Sequence, residues 1–412
     1  MFKLKFKQKM KPNFLLCLTL RRKILKSQIL LTILFAVLLL IVQHDLLNLL
    51  YIIFLSFSFL FIYIGFNRKS HILNIVVLPY TFLSVYNNIF KLIIKIYADW
   101  GTVLYVAYFI GMLALLIPVI LYDYGTIKNP IWQLVATVWL IISLFLTPLI
   151  SIEGNAVIVG LNKSNLLMAL IFLEYAYIAI TTWGYKFYFN LKIANPTFFY
   201  YLFLLVLGIV TVWISFFNTF ILSASEWNQA IWNWDFSLIN PINSAIIKNV
   251  WQLYFSALDA GIMEESARYV FLITLLIIFS RKKGRATYSI LLSSIIFSLL
   301  HILNFSTPGA NIDSILFQIF HAFGFGCLLG VILLYSGKLW LTMLFHTFAD
   351  FLNFSLIPLG YGGSLVSNEN TGVIVLTVVT VIPLIILMII LENQKTRAFI
   401  ETNIKKTVLS NA

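Results

Sequence analysis

The chain has 412 residues, of which 61% are hydrophobic and only 10% are charged, and its mean hydropathy is +0.96. A soluble chain carries about 25% charged and about 45–50% apolar residues, so soluble and disordered proteins are excluded. The net charge of +13 does not indicate nucleic-acid binding, because the basic residues collect at the ends of apolar segments, as in the cytoplasmic loops of membrane proteins. The two cysteines, Cys17 and Cys327, are far apart and favour neither a disulfide framework nor a thiolate zinc site.

Twelve apolar segments follow one another along the chain, and nearly all have the roughly 20 residues that a spanning helix needs. Lipid forces backbone groups to pair internally, and the unbroken apolar runs do not alternate as barrel strands do. They predict an all-α, polytopic transmembrane helix bundle. The approximate bounds are 28–43, 46–66, 72–92, 102–122, 131–150, 166–184, 199–223, 252–280, 287–305, 314–335, 339–357 and 372–391.

The distribution of Lys and Arg predicts how the bundle is oriented. With the N-terminus inside, 23 of the 28 basic residues fall on the inner side, four fall outside, and Arg268 lies within a span. An excess of basic residues marks the cytoplasmic side, so we expect N-in, C-in and an even number of spans. The first segment has no small-residue cleavage site and is predicted to be retained. The expected location is the cell membrane, as a multi-pass protein.

Five regions are predicted along the chain. They are a basic cytoplasmic N-terminus (1–27), a seven-span region (28–223), a Trp-rich loop (224–248), a second helix bundle (249–391) and a cytoplasmic tail (392–412). The tryptophans of the loop, Trp227, Trp232 and Trp234, indicate a segment that lies along the membrane surface, and a substrate-gating loop is the alternative.

Ionisable residues inside the predicted spans are rare before residue 250 and frequent after it. Each costs at least a few kcal/mol in the bilayer, so each is a functional hypothesis. The first seven spans contain Glu174, and Lys91 near an end. The later spans contain Asp259, Glu264, Glu265, Arg268, His301, His321, His346 and Asp350.

Helical spacing brings several of these groups together. Arg268 follows Glu264 by four residues and Glu265 by three, which places it beside both carboxylates, and His346 and Asp350 share one helix face. At about 1.5 Å per residue from the predicted cytoplasmic ends, the polar groups fall at similar depths near mid-membrane. We therefore expect one shared site.

A set of carboxylates and imidazoles in lipid favours hydrolysis of an amide. A carboxylate and a histidine can activate water, and nearby donors can stabilise an oxyanion. Alternatively, two or three imidazoles and a carboxylate can hold a divalent metal such as zinc. No GxSxG, Cys–His or GxxxxGK[ST] pattern supports a serine, thiol or nucleotide mechanism.

Three short motifs in this order resemble the CPBP family of intramembrane proteases, which includes CAAX prenyl proteases and bacterial enzymes linked to bacteriocin processing and self-immunity. The motifs are Glu264-Glu265-Ser266-Ala267-Arg268, Phe297-Ser298-Leu299-Leu300-His301 and His346-Thr347-Phe348-Ala349-Asp350. The resemblance covers roughly residues 250–357.

The resemblance implies roles for these residues. Glu264 and His301 would activate water, His346 with Asp350 would stabilise the oxyanion, and Glu265 with Arg268 would support them. In older descriptions of the family the same residues are metal ligands, here Glu264, His301 and His346.

The first motif departs from the usual family pattern. Two residues separate the glutamate pair from Arg268 where the family usually has three. The spacing is closer to the PrsW-like group, whose second motif has a glutamate where this chain has His301. One residue turns a helical side chain by about 100°, so either Glu264 or Glu265 is the candidate base.

Bland alternatives exist for each candidate. The Glu–Glu–Arg cluster can lock helices together, His301 and His346 can bond backbone carbonyls, and Asp350 can accept from His346. His321 belongs to no motif, so helix packing is its first interpretation. Glu174 and Asp259 can each pair with a histidine, line a substrate path, or do neither.

The function predicted from the sequence is an intramembrane peptidase that cleaves a membrane-associated peptide or protein, in contact with the lipid bilayer. The alternatives are a non-catalytic membrane scaffold or immunity protein and a proton-coupled transporter, the latter weakened by the lack of inverted repeats. Zinc is the cofactor that the sequence leaves open. The substrate and the oligomeric state are not predicted.

Overall fold

The computed structural model describes residues 12–65, 68–189, 197–240, 247, 249–306, 311–356, 365 and 369–408. These residues form helices and no strand, apart from one isolated bridge between Ile239 and Leu356. The predicted all-α class is confirmed. The first eleven residues of the predicted N-terminal region, residues 241–246 and 248 of the Trp-rich loop and residues 409–412 of the tail lie outside the described residues.

The helices fall into two compact units. The first unit contains the described part of Met1–Ile127 together with Val138–Ile150. Its helices are α1 (Pro12–Gln43), α2 (Leu47–Ile64), α3 (Arg68–Ile96), α4 (Gly101–Leu115), α5 (Ile117–Tyr122) and the C-terminal half of α6 (Pro130–Phe145). Helix α2 ends at Gly65, whose φ of 78° is accessible to glycine without strain and whose N–H bonds to the Phe61 carbonyl.

The second unit contains Lys128–Thr137 and the described part of Ser151–Ala412. Its further helices are α7 (Ala156–Lys163), α8 (Leu166–Thr182), α9 (Phe198–Phe220), α10 (Trp227–Ile231), α11 (Val250–Ile278), α12 (Arg285–Leu299), α13 (Ile312–Ser336), α14 (Leu339–Ser355), α15 (Glu369–Glu392) and α16 (Gln394–Val408). A 3₁₀ segment, Leu300–Ser306, continues α12.

Helix α11 is the centre of the second unit and packs against α7, α8, α12 and α14. Every residue from Glu265 to Leu276 is buried, as expected for a helix surrounded by others. At Gly261 a Cβ atom would collide with the Thr347 hydroxyl and lie 2.8 Å from the Met343 carbonyl oxygen. This glycine therefore allows the close approach of α11 and α14.

The described residues contain eight helical segments that are long and apolar enough to cross a membrane. Helices α7 and α8, bent by 60° at their junction, add a ninth if they count as one span. Helices α6 and α14 are shorter, with 16 and 17 residues, and α11 carries four charged side chains. The chain is a multi-pass membrane protein, whereas twelve spans, the N-in/C-in orientation and the five regions stay predictions.

Asp259, whose role was open, is bonded at the break between α7 and α8. Its Oδ2 accepts the backbone N–H of Asn165 at 3.0 Å, at the residue that precedes α8. The break itself was not predicted, because the predicted span began at residue 166. Glu174 lies on α8, and its Oε2 is buried without a hydrogen-bond partner among the described residues.

The sequence prediction for the first seven spans was incomplete. Asp123, directly after the fourth predicted span, is fully buried. Its Oδ1 lies 2.6 Å from His71 Nδ1 and accepts from Asn74 Nδ2 at 3.3 Å. The first unit therefore contains a buried carboxylate in contact with a partly exposed imidazole.

The Trp-rich loop is partly packed on α9. Trp234 stacks on Phe216 with ring centroids 4.5 Å apart, whereas the side chain of Trp232 is 68% exposed. The indole N–H of Trp213 donates to the Ile231 carbonyl at 3.0 Å and so fixes α10. Both the membrane-surface and the gating interpretations stay predictions.

The predicted tail also contains a helix, α16. Ile400 and Ile404, four residues apart on one face of this helix, are buried. Asn403 Nδ2 donates to the Leu334 and Tyr335 carbonyls, at 3.0 and 2.8 Å, and satisfies the C-terminus of α13. The last described helix is thus packed against the second unit.

Candidate active site

The two glutamates of α11 contact opposite nitrogens of one imidazole. Glu265 is fully buried, is ion-paired with Arg268, and its Oε1 lies 2.7 Å from His346 Nδ1. The Glu264 side chain is 26% exposed, and its Oε2 lies 3.3 Å from His346 Nε2. The carboxylate of Glu265 therefore lies in the packed interior, and that of the adjacent Glu264 lies in a more open position.

Helix α14 supplies His346 and, one turn later, Asp350. The distance from His346 Nε2 to Asp350 Oδ2 is 3.4 Å. His346 thus contacts three carboxylates, and the buried guanidinium of Arg268 balances part of their charge. The sequence predicted Arg268 beside both glutamates, and the structure pairs it with Glu265.

The third element is the end of α12. Phe297 lies on the helix, and His301 lies on the 3₁₀ segment that follows. The guanidinium carbon of Arg268 lies 4.5 Å from the centre of the Phe297 ring, a cation–π contact. The same ring meets His301 edge-on, with centroids 5.4 Å apart. Phe297 therefore links the first two motifs.

A cavity of about 330 Å³ joins these elements. Of the predicted site residues, Glu264, Arg268, His301, His346 and Asp350 line it, whereas Glu265 lies behind them. Its other polar wall residues are Asn218, Asn304, Gln318, His321 and Asn353. The volume lies at the lower end of the range of about 300–1,000 Å³ that is usual for small-molecule sites.

The sequence assigned no role in the site to three of these wall residues, His321, Asn353 and Asn218. His321 is stacked between Phe317 and Phe325, whose ring centroids lie 6.3 and 5.7 Å away. It had been noted as an ionisable residue but matched no motif. Asn353 follows His346 by seven residues, a spacing that could have placed it on the same face. Asn218 belongs to α9 and carried no sequence signal.

The side chain of His346, one of the implied zinc ligands, is held by other contacts. No group of three or more His, Cys, Asp or Glu side chains in the described part of the chain could hold a metal ion. His346 Nδ1 is bonded to Glu265, and Nε2 faces the carboxylates of Glu264 and Asp350. These residues as placed do not fit a zinc ion, and metal dependence stays a prediction.

Residues 246–352 match the family described as Rce1-like, type II CAAX prenyl endopeptidase. We refer to residues 246–352 as the Rce1-like segment, after the family that they match. All three motifs of the Rce1-like segment lie within the match, and the resemblance to CAAX prenyl proteases is confirmed. No curated protein and no solved structure matches the chain. The match covers α11, α12 and α13 and most of α14, and it ends at residue 352, within α14.

Proposed function

We propose that the Rce1-like segment is the active site of an intramembrane peptidase, in which Glu264 and His301 activate a water molecule. The observation that carries the proposal is that both side chains line one cavity, with Glu264 held by an imidazole that Glu265 anchors from behind. Glu264 is the better candidate base, because it lines the cavity and Glu265 does not.

The reaction needs one base and no covalent intermediate. Glu264 takes a proton from water while His301 holds the water oxygen by a hydrogen bond, and the hydroxide adds to the peptide carbonyl carbon. The resulting oxyanion needs hydrogen-bond donors. The resemblance assigns this role to His346, whose imidazole Asp350 orients as an acceptor. The C–N bond then breaks, and protonated Glu264 returns its proton to the departing amine.

The remaining motif residues keep the base in place. Glu265 and Arg268 form a buried ion pair, and Glu265 fixes the imidazole of His346 through Nδ1. A hydrogen bond to one ring nitrogen fixes the tautomer and the ring position of an imidazole. Glu265 and Arg268 therefore act as positioning residues in this proposal.

The substrate class follows the family description. We take a peptide that ends in a prenylated CAAX sequence as the first probe, presented in liposomes to the full-length protein. The wild type is expected to release the C-terminal fragment, and Glu264→Gln is expected to slow release by about 10²–10⁴-fold, the usual contribution of general acid–base catalysis.

Glu174→Gln is the matched control, because it is the same substitution on a membrane helix of the same unit, away from the cavity lining. It should leave release unchanged, whereas a proton-coupled transporter would depend on it. Wild-type release rates in both Glu264→Gln and His301→Ala would contradict the proposal. If the double variant Glu264→Gln/His301→Ala releases no peptide but still protects cells, the scaffold or immunity alternative would be favoured.

A further inference from the structure

Asn353 is a polar residue of the cavity wall that the proposed mechanism does not use. It lies on α14, three residues after Asp350 and seven after His346, and all three side chains line the cavity. Helical residues at these spacings share one face. The amide of Asn353 therefore extends the row of polar groups along this wall.

Two residues of α9 fix the orientation of this amide. The hydroxyl of Thr219 donates to Asn353 Oδ1 at 2.7 Å, and Asn218 Nδ2 donates to the same oxygen at 3.5 Å. Thr219 is fully buried. Because the oxygen receives both donors, the Nδ2 group is left for the cavity, and no described residue accepts a hydrogen bond from it.

Two other donor groups near this wall, His346 Nε2 and Arg268 Nη1, already face carboxylates. His346 Nε2 lies within 3.4 Å of two carboxylates, and Arg268 is ion-paired with Glu265. Asp350 as a carboxylate only accepts hydrogen bonds. A carbonyl oxygen that becomes an oxyanion needs donors that are in place before the reaction. The Asn353 amide meets this requirement.

We propose that Asn353 Nδ2 donates a hydrogen bond to the carbonyl oxygen of the scissile peptide group, and that Thr219 is the positioning residue that aims it. No proton is transferred, and the bond strengthens as negative charge develops on the oxygen. This inference rests on the proposed function. Both residues lie outside the 246–352 match, so α9 completes the cavity of the Rce1-like segment.

The first test is Asn353→Asp in the peptide-release assay. The aspartate keeps an oxygen for the Thr219 hydroxyl but replaces the donor Nδ2 by an acceptor. We expect kcat to fall about 10²-fold, as for loss of one oxyanion donor. If Asn353 only holds α14 against α9, the aspartate keeps that bond, and a wild-type kcat would overturn the proposal.

The second test is Thr219→Val, which removes the aiming hydroxyl at constant shape. We expect kcat to fall about 10-fold in the wild type and no further in an Asn353→Ala background, because the two residues act through one bond. Thr211→Val is the matched control. Thr211 is equally buried on α9, but its hydroxyl bonds to the Leu207 carbonyl of its own helix. Equal losses in Thr219→Val and Thr211→Val would contradict the aiming role.

The third test does not depend on turnover and so separates this inference from the proposed function. In Glu264→Gln, the prenylated peptide is compared with an analogue in which an (E)-alkene replaces the scissile amide. We expect the peptide to bind about 10-fold more tightly, and this preference to disappear in Glu264→Gln/Asn353→Ala. The same preference in both proteins would overturn the role of Asn353, even if the wild type cleaves the peptide. Failure of the wild type to cleave would count against the proposed function alone.

Discussion

The described residues of each unit include a buried carboxylate bonded to a histidine. In the first unit, Asp123 Oδ1 lies 2.6 Å from His71 Nδ1, and in the second, Glu265 Oε1 lies 2.7 Å from His346 Nδ1. The two pairs are equivalent in distance and in the burial of the carboxylate. They differ in what the other ring nitrogen contacts.

The second nitrogen of His346 faces two further carboxylates, Glu264 and Asp350, which line a cavity. In the described part of the chain, His71 has an ion-pair contact with Asp123 alone. Among the described residues, the first pair therefore lacks a second carboxylate at its imidazole. The difference that favours chemistry is a second carboxylate, oriented by the same ring and open to a cavity.

The largest effect on stability is expected for Arg268, whose guanidinium pairs with Glu265 in the second unit. Arg268→Ala leaves Glu265 as a buried, less compensated charge, which should lower the free energy of unfolding by about 3–5 kcal/mol. Denaturant unfolding in detergent micelles measures the loss. Arg285→Ala is the control, because its partner Glu401 is partly exposed and such a pair contributes about 0–1 kcal/mol. Equal losses of unfolding free energy in the two variants would mean that burial does not strengthen the Glu265–Arg268 pair.

A smaller effect is expected where glycines allow close packing. Gly261→Ala forces a Cβ against the Met343 backbone, which should destabilise by about 1–3 kcal/mol and reduce peptide release by displacing α14. In the first unit, Gly111→Ala meets the hydroxyl end of the Tyr86 ring, which is a side chain and not backbone. Thermal unfolding of both variants compares them. A larger loss for Gly111→Ala would contradict the rigid α11–α14 contact.

The smallest effect is expected for the pair in the first unit. Asp123→Asn keeps an acceptor for His71 and Asn74 and loses only the charge, so it should destabilise by about 1 kcal/mol. Peptide release should stay at the wild-type rate. The corresponding Glu265→Gln should lower release, because it loosens the imidazole beside Glu264. Loss of peptide release in Asp123→Asn would contradict the view that only the pair in the second unit supports the reaction.

The sequence predicted the helices and the grouping of the site well, because both depend on local patterns. Long apolar runs predicted helices, and i, i+3 and i+4 spacings predicted Arg268 near the glutamates and Asp350 near His346. Helical spacing cannot choose between two adjacent carboxylates. The two glutamates are distinguished by how each contacts His346, which lies 81 residues after Glu265.

Contacts between distant segments could not be predicted. His71 and Asp123 are 52 residues apart, and nothing in either segment indicates the other. The bond from Asp259 to Asn165 spans 94 residues, and that from Thr219 to Asn353 spans 134. These polar contacts depend on which helix faces pack together, and hydropathy alone does not specify those faces in a bundle whose spans are all apolar.

The Phe297 ring has a consequence for how the site is assembled during synthesis. Its contact with Arg268 joins two consecutive helices over 29 residues, whereas the bond from Glu265 to His346 must wait for α14. Contacts between neighbouring segments close sooner than distant ones. We expect the α11–α12 hairpin to insert with Arg268 already covered by an aromatic ring. Arg268, paired with Glu265 of its own helix, would then be shielded from lipid while the histidine that completes the cluster is still being translated.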